Sequence, residues 1–471
     1  MRGYYRHTKI IATVGPSTES REQLERLIRA GVDVLRLNMA HATGDWIVSL
    51  VGRIREVSRQ VERHVAVMMD VKGPEIRTGV VAEPIDLKTG EIFEFHTTGH
   101  PTPGMAGIDV NYPGLPADVK IGATVLVDSG LIRLEILEVD ATNVRCRVLT
   151  PGRLGSRRHI NLPGVDVNLP SLTEKDERDI RVGVEAGIDF VALSFVRRSK
   201  DIQTLRDVLT QLGSKARIIA KIEEQIGLKN LDGILEISDG VMVARGDLGV
   251  EIDYHILPLV QTRIVEACLA AGKPVIIATQ LLESMISSPM PTRAEISDVS
   301  TAVRERTDAV MLSGETATGM YPLECIEVMK NIITSTEFAE KQRFNNEIRL
   351  VEPQAIMMRS AALLAQELGG SGIVVFTRSG FLAYTLAGLR AQGVPIFAFT
   401  DDEALFRQLL LPWGVEPFLM PFCDDPEQTI LNAFEYLKRR EWCDAGSWLV
   451  VITNVLARDK IIDTIQMRKV E

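Results

Sequence analysis

Lys221 and Glu223 stand two residues apart at the end of an apolar, β-branched run, so in a strand their side chains point to the same side. A salt bridge between them is the plain structural reading. Asp247 closes the next such run, in Ala244-Arg245-Gly246-Asp247-Leu248-Gly249, and widens the chemistry on offer. Two carboxylates beside a lysine suit Mg²⁺ next to a phosphate or an enolate: the carboxylates hold a hard cation, and the lysine balances charge in the transition state. The glycines let a ligand approach the chain closely, with backbone N–H groups free to face an anion. Arg36 and Arg77 lie at a strand end and just past one. Each reads either as a surface arginine or as part of the positive charge that phosphoryl transfer needs, since that chemistry is mostly positioning and charge stabilisation.

These residues require a frame that gathers strand ends. Segments 9–14, 33–39 and 65–71 read as strands, with helical patterns over 21–30 and 45–60 between them. After an interruption, 190–195, 217–222, 240–243, 275–279 and 309–312 resume the strand rhythm, with helices including 201–212, 257–271 and 323–334. Three strands and five more make the count of a closed (β/α)₈ TIM barrel, an α/β fold whose active sites lie at the C-terminal ends of the strands. A doubly wound open sheet is the competitor. The strand ends carry Arg36 and Asn38, then Asp70, Lys221 to Glu223, Arg245 to Asp247, Thr279-Gln280 and Ser313-Gly314-Glu315. That is a polar rim on otherwise apolar strands.

The interruption, 79–162, holds short strands at 92–97, 124–127, 131–139 and 144–149 between Gly, Pro and Asp turns, which predicts an all-β insertion. Beyond 347–353 a smaller α/β domain is expected: a helix over 355–368, a strand over 372–376, a helix over 381–392, a strand over 394–399 and a last strand over 448–453. The expected division is 1–78 with 163–346 for the barrel, 79–162 for the insertion and 347–471 for the C-terminal domain.

Composition narrows the function classes. The 471 residues are 45% hydrophobic and 25% charged, which excludes a disordered, collagen-like or disulfide-scaffold chain. A net charge of −10 argues against nucleic acid or an anionic membrane as partner, while leaving room for a local basic pocket around a small phosphorylated molecule. Five cysteines, with no C-x-x-C pair, suit neither paired zinc ligands nor a disulfide framework. With no signal-peptide core and no apolar run of about 18 residues, a cytoplasmic location is expected.

The runs TKIIATVGPST (8–18), VLRLNMAH (34–41), MDVKGPEIRT (69–78), NLPGVDVNLPSLTEKD (161–176), FVALSFVR (190–197), AKIEE (220–224), GVMVARGDLGVEI (240–252), IIATQLLESM (276–285), PTRAEISDV (291–299) and DAVMLSGETA (308–317) closely resemble the pyruvate kinase family. The resemblance is dense over 8–340 and looser beyond. It implies a catalytic (β/α)₈ barrel, a β-barrel lid inserted after the third strand, and a C-terminal regulatory domain. It also implies the glycolytic transfer of a phosphoryl group from phosphoenolpyruvate to ADP, giving pyruvate and ATP, with Mg²⁺ (or Mn²⁺) and K⁺ as cofactors in a homotetramer. By position, Glu223 and Asp247 would ligate Mg²⁺, Lys221 would stabilise the phosphoryl group in flight, and Arg36 would contact the phosphate. The amides of Gly246 and Asp247 would hold the substrate carboxylate. Thr279 would lie near the methylene carbon, with Ser313 and Glu315 in the proton relay. Asn38, Asp70 and the Val71 carbonyl would bind K⁺, while Asn38, His41 and Arg77 would serve the nucleotide. Thr377, Arg378, Ser379 and Gly380 look like a phosphate-binding effector loop.

Several positions depart from the family pattern. Ala40 replaces a serine whose hydroxyl would ligate K⁺, Val71 a threonine, and Thr318 a lysine. Leu382 and the missing glycine-rich loop around 454–459 predict weak response to a sugar bisphosphate, with a monophosphate favoured. Glu75, where relatives that dispense with K⁺ tend to carry lysine, is expected to leave negative charge beside Asp70 that calls for a counter-ion. Two other readings stay open: a Mg²⁺-dependent barrel lyase of a pyruvate-like substrate, and a non-catalytic sensor of phosphorylated metabolites.

Overall fold

The structure, a computed structural model, describes residues 5–471 apart from 41, 98, 100, 101, 340–343, 370, 458 and 459. Eight parallel strands, Lys9–Val14, Val34–Asn38, Ala66–Val71, Phe190–Leu193, Arg217–Ile222, Gly240–Ala244, Val275–Ala278 and Ala309–Leu312, form a closed barrel. Closure runs through the first and eighth strands, from Lys9 opposite Ala309 to Ala12 opposite Leu312, which settles the question against an open sheet. The strands are buried almost end to end, because helices cover one face and the packed lumen the other. Ile10, Val67, Val191 and Ile277 join the outer core with the helices, while Ile11, Met68, Ala192, Ile219, Met242 and Ile276 fill the lumen.

Helix boundaries follow local chemistry. The helix Arg21–Ala30 starts where the Ser20 hydroxyl accepts the Gln23 N–H, and it stops at Gly31, whose φ of 115° is left-handed. The helices Glu174–Ala186 and Arg293–Arg304 begin at capping boxes made by Thr173 with Asp176 and Thr292 with Glu295. No helix among the described residues is long and apolar enough to cross a membrane. All five cysteines are free.

The inserted region is a curled six-stranded sheet around its own apolar core, which includes Phe93, Phe95, Leu134 and Cys146. A two-stranded ribbon, Ile85–Leu87 with Gly152–Leu154, accompanies it. The entering and leaving chains run side by side, with Arg77 opposite His159. The ribbon and the strands Gly107–Asp109 and Ile160–Asn161 were not expected; at two or three residues each they are too short to show alternation.

The C-terminal sheet has the order Val415–Leu419, Ile396–Thr400, Ile373–Phe376, Trp448–Ala457, Lys460–Lys469. This corrects the expectation that 448–453 is the last strand. That strand runs on to Ala457, and Lys460–Lys469 pairs antiparallel with it. Charged residues every few positions mask the final strand, which is an edge. Glu416 and Pro417 mask the opposite edge, Val415–Leu419, where a proline is tolerated. The expectation at 454–459 falls partly on residues outside those described.

Candidate active site

Strand alternation positions the site. Ile11, Val34, Met68, Ala192, Ile219, Met242 and Met311 belong to the lumen cluster. Two residues after each come Thr13, Arg36, Asp70, Ser194, Lys221, Ala244 and Ser313. A period of two turns those side chains toward the C-terminal rim of the lumen.

Lys221 is the hub of this rim. Its Nζ donates to Asp70 Oδ1 at 3.1 Å and Ser194 Oγ at 2.7 Å, and pairs with Glu223 Oε1 at 2.9 Å. Burial opposes its charge, but Asp70 and Glu223 outweigh burial and hold the pKa above the ordinary lysine value. Asp70 also accepts from Arg36 Nε at 2.6 Å, and Arg36 Nη1 donates to Thr13 Oγ1 at 3.0 Å. Burial alone would lift the Asp70 carboxyl; Arg36 and Lys221 bring it below the usual aspartate value instead.

Glu223 makes the salt bridge with Lys221 that the plain reading expects, and its Oε2 accepts the Phe195 N–H at 2.6 Å. Burial lifts its pKa against the pull of Lys221, and the neighbouring Asp247 charge lifts it further. Asp247 sits in the first turn of the short helix Arg245–Glu251. Burial raises its pKa too; Lys221 counteracts, while Glu75 and Asp70 add to the rise. At both carboxylates burial and like charges outweigh the pull of Lys221, which suits a divalent cation. Among the described residues no cluster of three or more His, Cys, Asp or Glu could hold a metal. Mg²⁺ requires no such cage, since one or two carboxylates ordinarily hold it together with waters and substrate phosphates.

The seventh strand ends in consecutive left-handed residues, Thr279 at φ 69° and Gln280 at φ 55°. A β-branched residue there is strained, so something must hold it. Arg245 does so: Nη2 donates to the Thr279 carbonyl at 2.7 Å and the Gln280 carbonyl at 3.1 Å, and Nη1 pairs with Asp298 at 2.8 Å. The Thr279 hydroxyl accepts the Gly246 N–H at 2.8 Å and donates to the Ala278 carbonyl at 2.6 Å.

At the eighth strand the buried Glu315 carboxylate accepts from the backbone amides of Ser313 at 2.7 Å and Leu282 at 3.2 Å. Ser313 Oγ is buried without a hydrogen-bond partner. Asn38 Oδ1 accepts the Ala40 N–H at 3.1 Å, and the Val71 carbonyl accepts the Ser194 hydroxyl at 2.7 Å. Arg77 lies at the hinge of the insertion, with Nη1 on the Arg157 carbonyl. The expectation for Glu75 is corrected: its carboxylate takes Lys72 Nζ at 2.9 Å and Arg77 Nε at 2.7 Å, so it carries its own counter-ions. His41 lies outside the described residues.

Away from the rim, Thr377 to Gly380 form a turn in which the Gly380 N–H, at φ 84°, donates to Thr377 Oγ1 at 2.8 Å. It lines a cavity of about 460 Å³ with Phe422 and Cys423, and Arg378 is paired with Asp401.

Sequence reasoning missed two supporting residues, Ser194 and Thr13, and placed Arg245 on the rim without its hold on the Thr279–Gln280 turn. The first two were within reach, because they share the lumen parity of the apolar residues two positions before them.

The family model described as pyruvate kinase, barrel domain, matches residues 5–326, and that of the pyruvate kinase alpha/beta domain matches 355–466. Plastidial pyruvate kinase 2 of Arabidopsis thaliana is 40% identical over 99% of this chain and 81% of its own length. A Staphylococcus aureus pyruvate kinase is 42% identical over 88% of this chain and 71% of its own. The crystal structure of a pyruvate kinase from Cryptosporidium parvum superposes with a TM-score of 0.93 at 34% identity, covering 99% of this chain and 96% of that one.

Proposed function

The chain belongs to the pyruvate kinase family, and from that membership and its barrel rim we infer how it moves the phosphoryl group of phosphoenolpyruvate to ADP. It is a phosphotransferase, and the roles of its residues are our proposal. The observation that carries the proposal is the Lys221 ammonium, buried and charged, held beside two carboxylates at the rim of the lumen.

Lys221 stabilises the phosphoryl group between donor and acceptor oxygens, where a fixed charge acts most strongly. Arg36 gives Nε to Asp70 and Nη1 to Thr13, leaving Nη2 for a phosphate oxygen. Glu223 and Asp247 hold the divalent ion, Mg²⁺ or Mn²⁺; when bound, it neutralises charge on the phosphoryl oxygens. The Asp247 and Gly246 amides, at the start of their helix, receive the substrate carboxylate. For Gly246 this requires the Thr279 hydroxyl to leave its amide. Thr279 then stands beside the methylene carbon, which gains the proton as the enolate becomes pyruvate. The partnerless Ser313 hydroxyl extends the relay, with Glu315 bracing it through the backbone.

The K⁺ set fits in part. Asn38, Asp70 and the Val71 carbonyl offer oxygens, each already accepting one or more hydrogen bonds, and Ala40 offers none. Asn38 and Arg77, with His41, serve ADP beneath the lid. We keep the homotetramer, the cytoplasmic location and a monophosphate effector at Thr377 to Gly380 as proposals. We divide the chain into 1–78 with 163–346, 79–162 and 347–471, a division supported by one main apolar core in each; Ile76 and Val167 join the core of the insertion, and Leu410 and Leu411 join the barrel lumen.

The test is pyruvate formation from phosphoenolpyruvate and ADP in Mg²⁺ and K⁺, compared with Lys221→Met. Loss of a preorganised charge should cost at least about 10³ in turnover while substrate still binds. A variant within tenfold of the parent would sink the assignment.

A further inference from the structure

An ammonium has three protons, and Lys221 has three acceptors around it: Asp70 Oδ1, Glu223 Oε1 and Ser194 Oγ. Two are carboxylates that attract it by charge. Ser194 is different: it is neutral and buried, and its only proton goes to the Val71 carbonyl at 2.7 Å. Toward Lys221 its oxygen can therefore only accept. The contact is one-directional, from Lys221 N–H to Ser194 Oγ and from Ser194 O–H to the Val71 carbonyl. The next residue, Phe195, is left-handed at φ 53°, and its N–H holds Glu223 Oε2. The end of the fourth strand thus grips both members of the Lys221–Glu223 pair.

We infer that Ser194 is a positioning residue for the Lys221 ammonium. This rests on the reading of Lys221 as the charge that follows the phosphoryl group. With Ser194 gone, only the two carboxylates hold the ammonium, and one of its protons loses its acceptor. A misplaced charge weakens transition-state stabilisation more than ground-state binding, so the loss belongs to kcat.

Three variants test this. Ser194→Ala removes the oxygen without adding volume. Ser194→Thr and Ser194→Val add the same bulk and differ only in the hydroxyl. For each, kcat and KM for phosphoenolpyruvate are measured with the melting temperature. Ser194→Ala should lose about 10–100-fold in kcat with KM nearly unchanged, and Ser194→Thr should exceed Ser194→Val by a similar factor at equal melting temperature. An Ala variant with parental kcat, a loss confined to KM, or equal kcat for the Thr and Val variants overturns the inference; inactivity of both from crowding leaves the Ala result to decide. Lys221→Met in the same series keeps the two claims apart. If it stays active, the reading of Lys221 fails; if it is inactive while Ser194→Ala matches the parent, only the inference about Ser194 fails.

Discussion

Glu223 and Asp247 each resist ionisation because burial and their neighbours' negative charges work against them. A divalent cation reverses that cost, so the pair should bind Mg²⁺ with loss of protons. Glu223→Gln exchanges a carboxylate for an amide, a poorer ligand for a hard ion. The Mg²⁺ concentration for half-maximal activity should rise by about tenfold or more. If the Mg²⁺ titrations of variant and parent overlay, Glu223 is only the salt-bridge partner of Lys221. Ala40 poses the monovalent counterpart. Its N–H already fixes Asn38 Oδ1, so a serine there would add an oxygen next to an ordered one. Ala40→Ser should lower the K⁺ needed for half-maximal activity, since a fixed hydroxyl is better preorganised than water. An unchanged K⁺ titration would remove Ala40 from the explanation.

Elements carry the second set of consequences. Where the insertion returns to the barrel, Asn161 Nδ2 donates to Glu251 Oε1 at 3.2 Å. Burial pushes Glu251 up to about 7 and the nearby Glu224 up to about 8, well above the ordinary glutamate value. Over roughly pH 5 to 8 the unfolded chain has released these protons while the folded protein keeps them, so stability falls as pH rises. The melting temperature of metal-free protein should decline across that window, and Glu251→Gln, neutral at every pH, should flatten the decline. An identical slope in the variant would exclude Glu251 as a source.

The elements also show what could be read in advance. The barrel strands were legible because each is a short apolar run at even spacing, and most of the rim followed from the period of two. Ser194 lay inside the expected strand 190–195 but escaped notice, because a lone neutral hydroxyl in an apolar run does not stand out as the charged strand ends do. The left-handed turn at Thr279 and Gln280 was invisible for a physical reason. Neither residue favours positive φ, and the conformation is held by Arg245, distant in sequence, which donates to both carbonyls. The lid ribbon and the two C-terminal edge strands owe their form to partners rather than to their own pattern.

At the scale of the molecule, the end of the barrel opposite the rim is joined to the C-terminal domain. Arg390 and Asp308 meet at 2.5 Å, both almost fully buried, and Asp308 also accepts the Trp413 N–H at 2.9 Å. Arg407 pairs with Asp189 at 2.7 Å, and Lys9 Nζ donates to the Val415 carbonyl at 2.7 Å. Arg390→Ala would leave Asp308 as a buried charge without its cation and should cost about 3–5 kcal/mol of stability. Arg390→Met combined with Asp308→Asn should recover much of it, because removing both charges avoids the unpaired state. Denaturant midpoints of the two variants provide the check; equal midpoints would mean that the pair is not coupled.

Leu410 and Leu411 share the lumen cluster with the barrel strands, so the C-terminal domain furnishes the last layer of the catalytic domain's own interior. The barrel and the C-terminal domain are therefore not a pair of detachable cassettes. A gene cut after residue 346 would encode an unplugged barrel with an apolar opening, prone to stick to its neighbours. A hybrid enzyme that borrows a relative's C-terminal domain must inherit the stopper with it, or have one rebuilt to fit.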